Sequence, residues 1–264
     1  MFTELVFKEK RFFPLFWTQF FGALNDNFFK NALVMFITYK SVMLWGMGSA
    51  SLVAMAGGVF IFPFFLFSAT AGQIADKYDK SVVIKMMKNI ELLIMLVAGF
   101  GFYLDNYYLL MIVLFLMGTQ SAFFGPCKYG VIPELVKEEE LVSANAVIAT
   151  GTFIAILIGT ILGGITTGVE NAAHFGSLGI IFFAIIGIYA SRKHIKIPAR
   201  DEKIKVDFTL FKPTWDILKI TRKNKKVFHA VMGISWFWFL GVAILSLLPG
   251  LCKEVFGGNE TVST

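Results

Sequence analysis

Two oppositely charged side chains, Asp26 and Lys30, stand four residues apart in an otherwise apolar run, FFPLFWTQFFGALNDNFFKNALVMFITY, over residues 12–39. On a helix, positions i and i+4 share a face, so this spacing sets carboxylate and ammonium side by side. Gln19 and Gly22 extend that face towards the start of the run, and Asn25 and Asn27 flank the acid. A run of this length can cross a bilayer, where an ionised group at the centre costs at least about 2.5–3.5 kcal/mol on insertion scales. A chain that keeps both charges there must pair them, wet them or use them. The stripe is therefore expected to line a substrate cavity, with Asp26 and Asn27 at its centre and Lys30 as neutralising partner.

Other polar residues in apolar segments extend the candidate set. Glu91 lies about ten residues into a third apolar segment, with Lys88 at i−3. Two readings are open for it: a functional acid, or a locally neutralised pair. Gln120 and Thr119 suit either ligand binding or hydrogen bonds between helices. Lys128 stands just after Gly125-Pro126 and suits either a phosphate contact or a headgroup anchor. Cys127 and Cys252 are expected on opposite sides of the membrane, which excludes an intramolecular disulfide, and no Cys/His cluster resembles a metal site. No Gly-x-x-x-x-Gly-Lys-Ser/Thr loop is present, so no ATP machinery is expected, and neither is any cofactor.

The elements that position these residues follow from hydropathy. Of 264 residues, 56% are hydrophobic and only 16% charged, with mean hydropathy +0.71. Ordinary soluble domains are about a quarter charged. Long apolar runs recur, and alternating ten-residue strands do not. The fold class is an all-α polytopic membrane protein, with spans expected near 12–39, 50–73, 82–104, 107–125, 143–168, 174–191 and 227–250. Pro126 is expected to end the fourth helix, because proline cannot continue the ladder.

Residues 192–226 break the pattern, holding 12 of the 24 Lys and Arg against four acids. A short amphipathic helix is expected to start near Pro213, lying in the interface or within a solvated linker. The net charge of +6 reflects topology rather than nucleic-acid binding. Basic residues concentrate in the N-terminus, 76–85, 127–141 and 192–226, which places these on the cytoplasmic side. The alternate loops are poor in basic residues, carrying Lys40, His174 and Lys253 beside acids such as Asp105 and Glu170. The first long apolar run is too long for a signal h-region and is read as a membrane helix. Three units are expected: a six-helix bundle over 1–191, a basic linker over 192–226, and over 227–264 the first helix of a second bundle. That makes the chain a fragment of a 12-helix transporter, one that would not transport without its missing C-terminal bundle.

Two motifs support the helical-bundle reading. Gly72-Gln73-Ile74-Ala75-Asp76-Lys77-Tyr78-Asp79-Lys80 resembles the loop signature of the major facilitator superfamily, Gly-x-Leu-Ala-Asp-Arg-x-Gly-Arg-Lys. Gly72, Ala75, Asp76, Lys77 and Lys80 match, and Asp79 stands where the second Gly would be. The resemblance implies a gating hinge between helix bundles, with Gly72 permitting close helix packing. Gly159-x-x-x-Gly163 is the spacing that lets two membrane helices approach closely.

Three segments, FFGALNDNFFKNAL, GTQSAFFGPCKYGVIPELV and ELVSANAVIATGTFIAILIGTILGG, resemble the lysophospholipid transporter family of that superfamily. With residues 233–264, the chain looks most like the transporter segment of bacterial fusion proteins that continue into acyltransferase and acyl–acyl-carrier-protein synthetase domains. The resemblance implies a lysophospholipid substrate, chiefly lysophosphatidylethanolamine, moved to the cytoplasmic leaflet of the inner membrane and re-acylated there. It assigns Asp26 and Asn27 to the family's helix 1 motif, and Lys128 and Tyr129 to its Lys-Tyr. It also implies acyltransferase domains or acyl carrier protein as partners. An arginine in helix 7 of standalone members has no counterpart, Leu245 falling near its place. For a zwitterionic lysolipid, Asp26 and Glu91 against Lys30 would meet both headgroup charges, with Phe20, Phe28, Phe60, Phe64 and Phe65 as an acyl-chain wall. Two other classes remain: a small-solute or drug transporter, and the membrane anchor of an acyltransferase. The latter's His-x-x-x-x-Asp motif is absent, since Gly179, Ala199 and Ile234 follow the three histidines at that spacing, so no catalytic residue is expected here.

Overall fold

The computed structural model describes residues 11–169, 171–194, 196–209 and 211–258, without the side chains of Leu245 and Ser246. The N-terminal basic residues before Arg11, Glu170 and residues 259–264 lie outside the described residues. Among the described residues eight α-helices occur in chain order: α1 (Phe13–Tyr39), α2 (Ser49–Lys77), α3 (Lys80–Tyr103), α4 (Tyr107–Leu135), α5 (Leu141–Thr167), α6 (Ala172–Ser191), α7 (Lys212–Lys223) and α8 (Lys225–Glu254). Among the described residues, five segments are long and apolar enough to cross a membrane: α2, α4, α5 with the preceding turn, α6 and α8.

The remaining long helices, α1 and α3, carry the charged stripe and the Lys88/Glu91 pair; the fold encloses α1, whereas α3 keeps an apolar face exposed through Val82, Met86, Leu93 and Phe100. Leu15, Phe29, Leu33, Met35 and Ile37 of α1 are fully buried. α5 and α6 cover most of α1, with smaller contacts from α2, α4 and α8, while α2 pairs with α4 and α3 with α6. Thus α1 is covered by its neighbours and α3 turns Lys88 and Glu91 inward beneath its own apolar outer face, which keeps these charges away from hydrocarbon.

Local chemistry sets several boundaries. Pro14 opens α1, where a missing N–H costs nothing. Asp79 caps α3 by accepting from the Ser81 and Val82 amides, and Asn106 caps α4 by accepting from Leu109 N–H at 3.0 Å. The expected stop at Pro126 does not occur: α4 continues through Pro126 and Pro133 to Leu135. Proline is tolerated inside a membrane helix where neighbouring helices re-satisfy the freed backbone groups. Lys128 therefore stands on the helix rather than after it. The loop after α2 is also shorter than expected, since only Tyr78 and Asp79 interrupt the helices.

The basic segment does not hang free. It returns along the C-terminal half of α2 through main-chain hydrogen bonds. Lys80 N–H donates to Ile197 O at 3.2 Å, and the amides of Arg200 and Asp201 donate to Asp76 O at 2.9 and 3.1 Å. Asp207 N–H donates to Gln73 Oε1 at 2.7 Å, and Thr70 Oγ1 donates to Asp207 O at 3.1 Å. The chain then enters α7, whose Thr214 hydroxyl donates to Phe65 O at 3.3 Å. His194, at the start of this path, is buried, with both ring nitrogens lacking hydrogen-bond partners among the described residues. Burial and the nearby Lys85 push its pKa down to about 4. The final helix, α8, is exposed along most of its length. It meets the bundle where Trp238 stacks on Phe153, centroids 5.7 Å apart, and where Lys253 donates to Thr38 O and to Ser41 Oγ.

Candidate functional site

Asp26 stands in the middle of α1, and its nearest polar neighbour is on α4. The Ser121 hydroxyl donates to Asp26 Oδ2 at 2.8 Å and lies 3.2 Å from Gln120 Oε1. Gln120 Nε2 reaches on to α3, 3.4 Å from Glu91 Oε2 and 3.3 Å from Met87 O. Glu91 Oε2 accepts from Lys88 Nζ at 2.6 Å. A chain of polar groups, Asp26–Ser121–Gln120–Glu91–Lys88, thus crosses three helices. Its inner members Lys88, Glu91 and Gln120 are 1%, 1% and 4% exposed. Asp26 and Ser121 are half-buried, and Asp26 Oδ1 is closed off without a hydrogen-bond partner.

Gly22 makes room for the inner end of this chain. A Cβ there would stand 2.5 Å from Lys88 Nζ. The absent side chain lets the backbone of α1 close over the ion pair, while the Phe124 ring faces the ammonium at 5.3 Å. For Glu91 the geometry is that of the neutralised pair with Lys88.

Lys30 and Asp26 do not form the expected contact. Among the described residues no ion pair joins them. The Lys30 ammonium instead lies 4.9 Å over the ring of Phe60 on α2. The Ser121 hydroxyl draws the carboxylate towards α4, and the longer lysine stem reaches an aromatic face, a contact that strengthens as water is removed. Lys128 lies 4.5 Å over the Tyr129 ring. Lys30, Lys88, Glu91 and Lys128 all remain within Coulombic range of Asp26. Asn27 bonds within its own helix, donating to Ala23 O at 2.7 Å, and Thr119 does the same, donating to Phe115 O at 2.9 Å.

The aromatic wall is narrower than the sequence suggests. Phe60 and Phe64 pack edge-on at 5.8 Å beside Lys30. Phe28 instead fills the core against Phe183, Phe20 stacks on Phe16, and Phe65 meets Phe211 before α7. Ser121 was not among the residues singled out from sequence. Its only signal there is a small hydroxyl beside Gln120 in an apolar helix.

The Gly72–Lys80 segment lies at the opposite end of α2 from Ser49. Space beside Gly72 is open, since a Cβ there would meet nothing within 4 Å, so close packing at Gly72 is not seen within this bundle. The Asp76 carbonyl holds the basic segment by the two bonds above, and Lys77 covers the Tyr78 ring at 5.6 Å. Lys80 is 4% exposed and runs over Gly130 of α4, where a Cβ would be 3.1 Å from Lys80 Cε. Burial raises the Asp79 pKa, but hydrogen bonds from the Ser81 hydroxyl and amide, and from the Ile197 and Val82 amides, hold it below the usual carboxylate range. On α5, Gly159 lies against the Leu24 carbonyl, and a Cβ on Gly163 would be 2.6 Å from Phe28 O. This pair brings α5 onto the α1 backbone just where Asp26 emerges. Both cysteines are free, and no group of three or more metal-ligating side chains occurs among the described residues.

Comparison with known proteins gives this geometry a context. A family model described as transmembrane secretion effector matches residues 33–263. The lysophospholipid transporter LplT of Serratia proteamaculans is 27% identical over 232 residues, covering 87% of this chain and 54% of that protein. The protein of that name from an Enterobacter species is 25% identical over 232 residues, covering 87% and 55%. A third, from Yersinia pestis, is 27% identical over 237 residues, covering 87% and 53%. The chain spans about half the length of the curated relatives it matches.

Proposed function

Because the chain belongs to the transmembrane secretion effector family of the major facilitator superfamily, we propose that it forms one face of a lysophospholipid-translocating pathway. The relatives named as lysophospholipid transporters support the substrate class. One observation carries the reading: on a single face of α1, α2 and α4, the Asp26 carboxylate and the Lys30 ammonium stand near one another without forming an ion pair. A zwitterionic headgroup offers an ammonium and a phosphate. Asp26 receives the ammonium, and Lys30 and then Lys128 receive the phosphate, while Phe60 and Phe64 flank the start of the acyl chain. Charge-assisted bonds of this kind contribute about 1.5–3 kcal/mol each.

In this reading the substrate is lysophosphatidylethanolamine, moved to the cytoplasmic leaflet of a bacterial inner membrane for re-acylation. The protein's N-terminus is cytoplasmic, in keeping with the basic segments. Movement is by alternating access, rocking this bundle against a second one around a site near the bilayer midplane. The test is uptake of labelled lysophosphatidylethanolamine by spheroplasts carrying the full-length protein. Asp26→Ala and Lys30→Ala are each expected to slow uptake by about tenfold to a hundredfold. Unchanged uptake in either, at equal membrane abundance, refutes it.

A further inference from the structure

Around Asp26 three acceptor oxygens, Asp26 Oδ1, Asp26 Oδ2 and Gln120 Oε1, share the single proton of Ser121. Ser121 has one hydroxyl proton and two acceptors in reach, Asp26 Oδ2 at 2.8 Å and Gln120 Oε1 at 3.2 Å. Bonding Asp26 leaves Gln120 Oε1 without a donor, and in either case Asp26 Oδ1 is buried without one. Gln120 cannot turn its amide over to remedy this, because its Nε2 serves Met87 O and Glu91 Oε2. Buried acceptors left unpaired are costly.

One added proton reduces the shortage to a single acceptor, Asp26 Oδ1, which then is a neutral carbonyl oxygen and costs less to leave unpaired than a carboxylate oxygen. A carboxylic acid at Asp26 donates to Ser121 Oγ, and Ser121 then donates to Gln120 Oε1, so the chain runs in one direction from Asp26 to Glu91, which accepts from Gln120 and Lys88 alike. Glu91 is a poorer home for that proton, because Lys88 already holds Glu91 Oε2 at 2.6 Å and a proton there would weaken a buried ion pair. The charged groups facing Asp26 are Lys30 on α1, Lys88 and Glu91 on α3, and Lys128 on α4. The other helices packed on α1 add none at this depth. The charged residues of α2 are Asp76 and Lys77 at its end, α5 has none, α6 has only His174 in its first turn, and α8 approaches only the end of α1, through Lys253.

We propose that Asp26 is a proton site: with the headgroup site empty it carries a proton relayed through Ser121 to Gln120, and a headgroup ammonium displaces that proton on binding. The proton comes from water and returns to it. The carboxylic O–H bond breaks as the ammonium–carboxylate pair forms, and the Asp26 end of the site stays neutral while the phosphate offsets the charge of Lys30. The proton site stands on the hydrogen-bond geometry alone, whereas the exchange rests on the proposed lysophospholipid reading.

Difference infrared spectroscopy on the full-length protein in lipid vesicles tests both. A carbonyl band of a protonated carboxyl is expected at neutral pH, lost in Asp26→Asn and retained in Glu91→Gln. Ser121→Ala keeps the carboxyl and shifts the band, so the test survives any misfolding of Asp26→Asn. Lysophosphatidylethanolamine diminishes the band, and lysophosphatidylglycerol, which has no ammonium, does not. Absence of the band at neutral pH, or its survival in Asp26→Asn, overturns the proton site. A band that belongs to Asp26 but ignores lysophosphatidylethanolamine overturns the exchange and the headgroup role of Asp26, leaving the proton site standing.

Discussion

The Lys88 ammonium lies 2.6 Å from the Glu91 carboxylate at the centre of the bundle, both side chains no more than 2% exposed. Removing one member of such a pair leaves an unpaired buried charge and costs about 3–5 kcal/mol, whereas replacing both by apolar groups is often neutral. Lys88→Met alone and Glu91→Leu alone are therefore expected to lower the unfolding temperature in detergent sharply. The double variant is expected to recover most of that loss. Equal and additive losses would show that the pair is not the unit of stability.

The contact between Gly163 and the α1 backbone gives a second prediction. A methyl at Gly163 meets Phe28 O at 2.6 Å, and at Gly159 it meets the Leu24 carbonyl. Neither contact is with a flexible side chain, so α5 must move away. Gly159→Leu and Gly163→Leu are expected to destabilise by a few kcal/mol, in the range of overpacked cores, about 1–3 kcal/mol or more. Gly72→Ala, facing open space, is expected to leave the unfolding temperature of this bundle nearly unchanged.

Much of the helical plan was legible in the sequence, because a membrane helix must satisfy its own backbone and so declares itself by an unbroken apolar run. The misreading of α4 has a physical cause. Pro126 ends a helix in water, but surrounding helices carry Lys128 and Tyr129 onward within the same element. The side-chain partners were less legible. Helical spacing puts Asp26 beside Lys30 but cannot reveal Ser121 approaching from α4, since that contact spans 95 positions in sequence. The inward turn of Phe28 was hidden for the same reason. One phenylalanine among 30 is assigned to core or cavity by which neighbouring helix it meets.

His194 supplies a pH prediction. Its folded pKa of about 4 lies below the ordinary 6.5, so the fold holds the neutral ring. Above pH 6.5 neither state is protonated and nothing is lost. As pH falls from 6.5 towards 4, the unfolded chain takes a proton that the folded chain refuses, and stability drops by up to about 3 kcal/mol. Thermal unfolding across that window should show this slope, and His194→Gln should flatten it. A slope unchanged by the substitution would assign the effect elsewhere.

Asp79 acts in the same direction at lower pH. Its hydrogen bonds to the start of α3 keep it ionised, so its contribution is present above the unfolded pKa and is lost as pH falls through the folded one. Asp79→Ala is expected to cost about 0.5–2 kcal/mol, as for other helix caps. Hydrogen exchange at Ser81 and Val82 should rise in that variant, and unaltered exchange would exclude the capping role.

The account depends most on Asp26 and Lys30 acting as opposite poles for one headgroup. The direct measurement is the initial rate of lysophosphatidylethanolamine uptake by the full-length protein and its Asp26→Ala, Lys30→Ala and doubly substituted forms, at matched membrane abundance. Loss of one charge-assisted contact is expected to slow uptake by about tenfold to a hundredfold in each single variant. Uptake at the unmodified rate in Asp26→Ala would contradict the account.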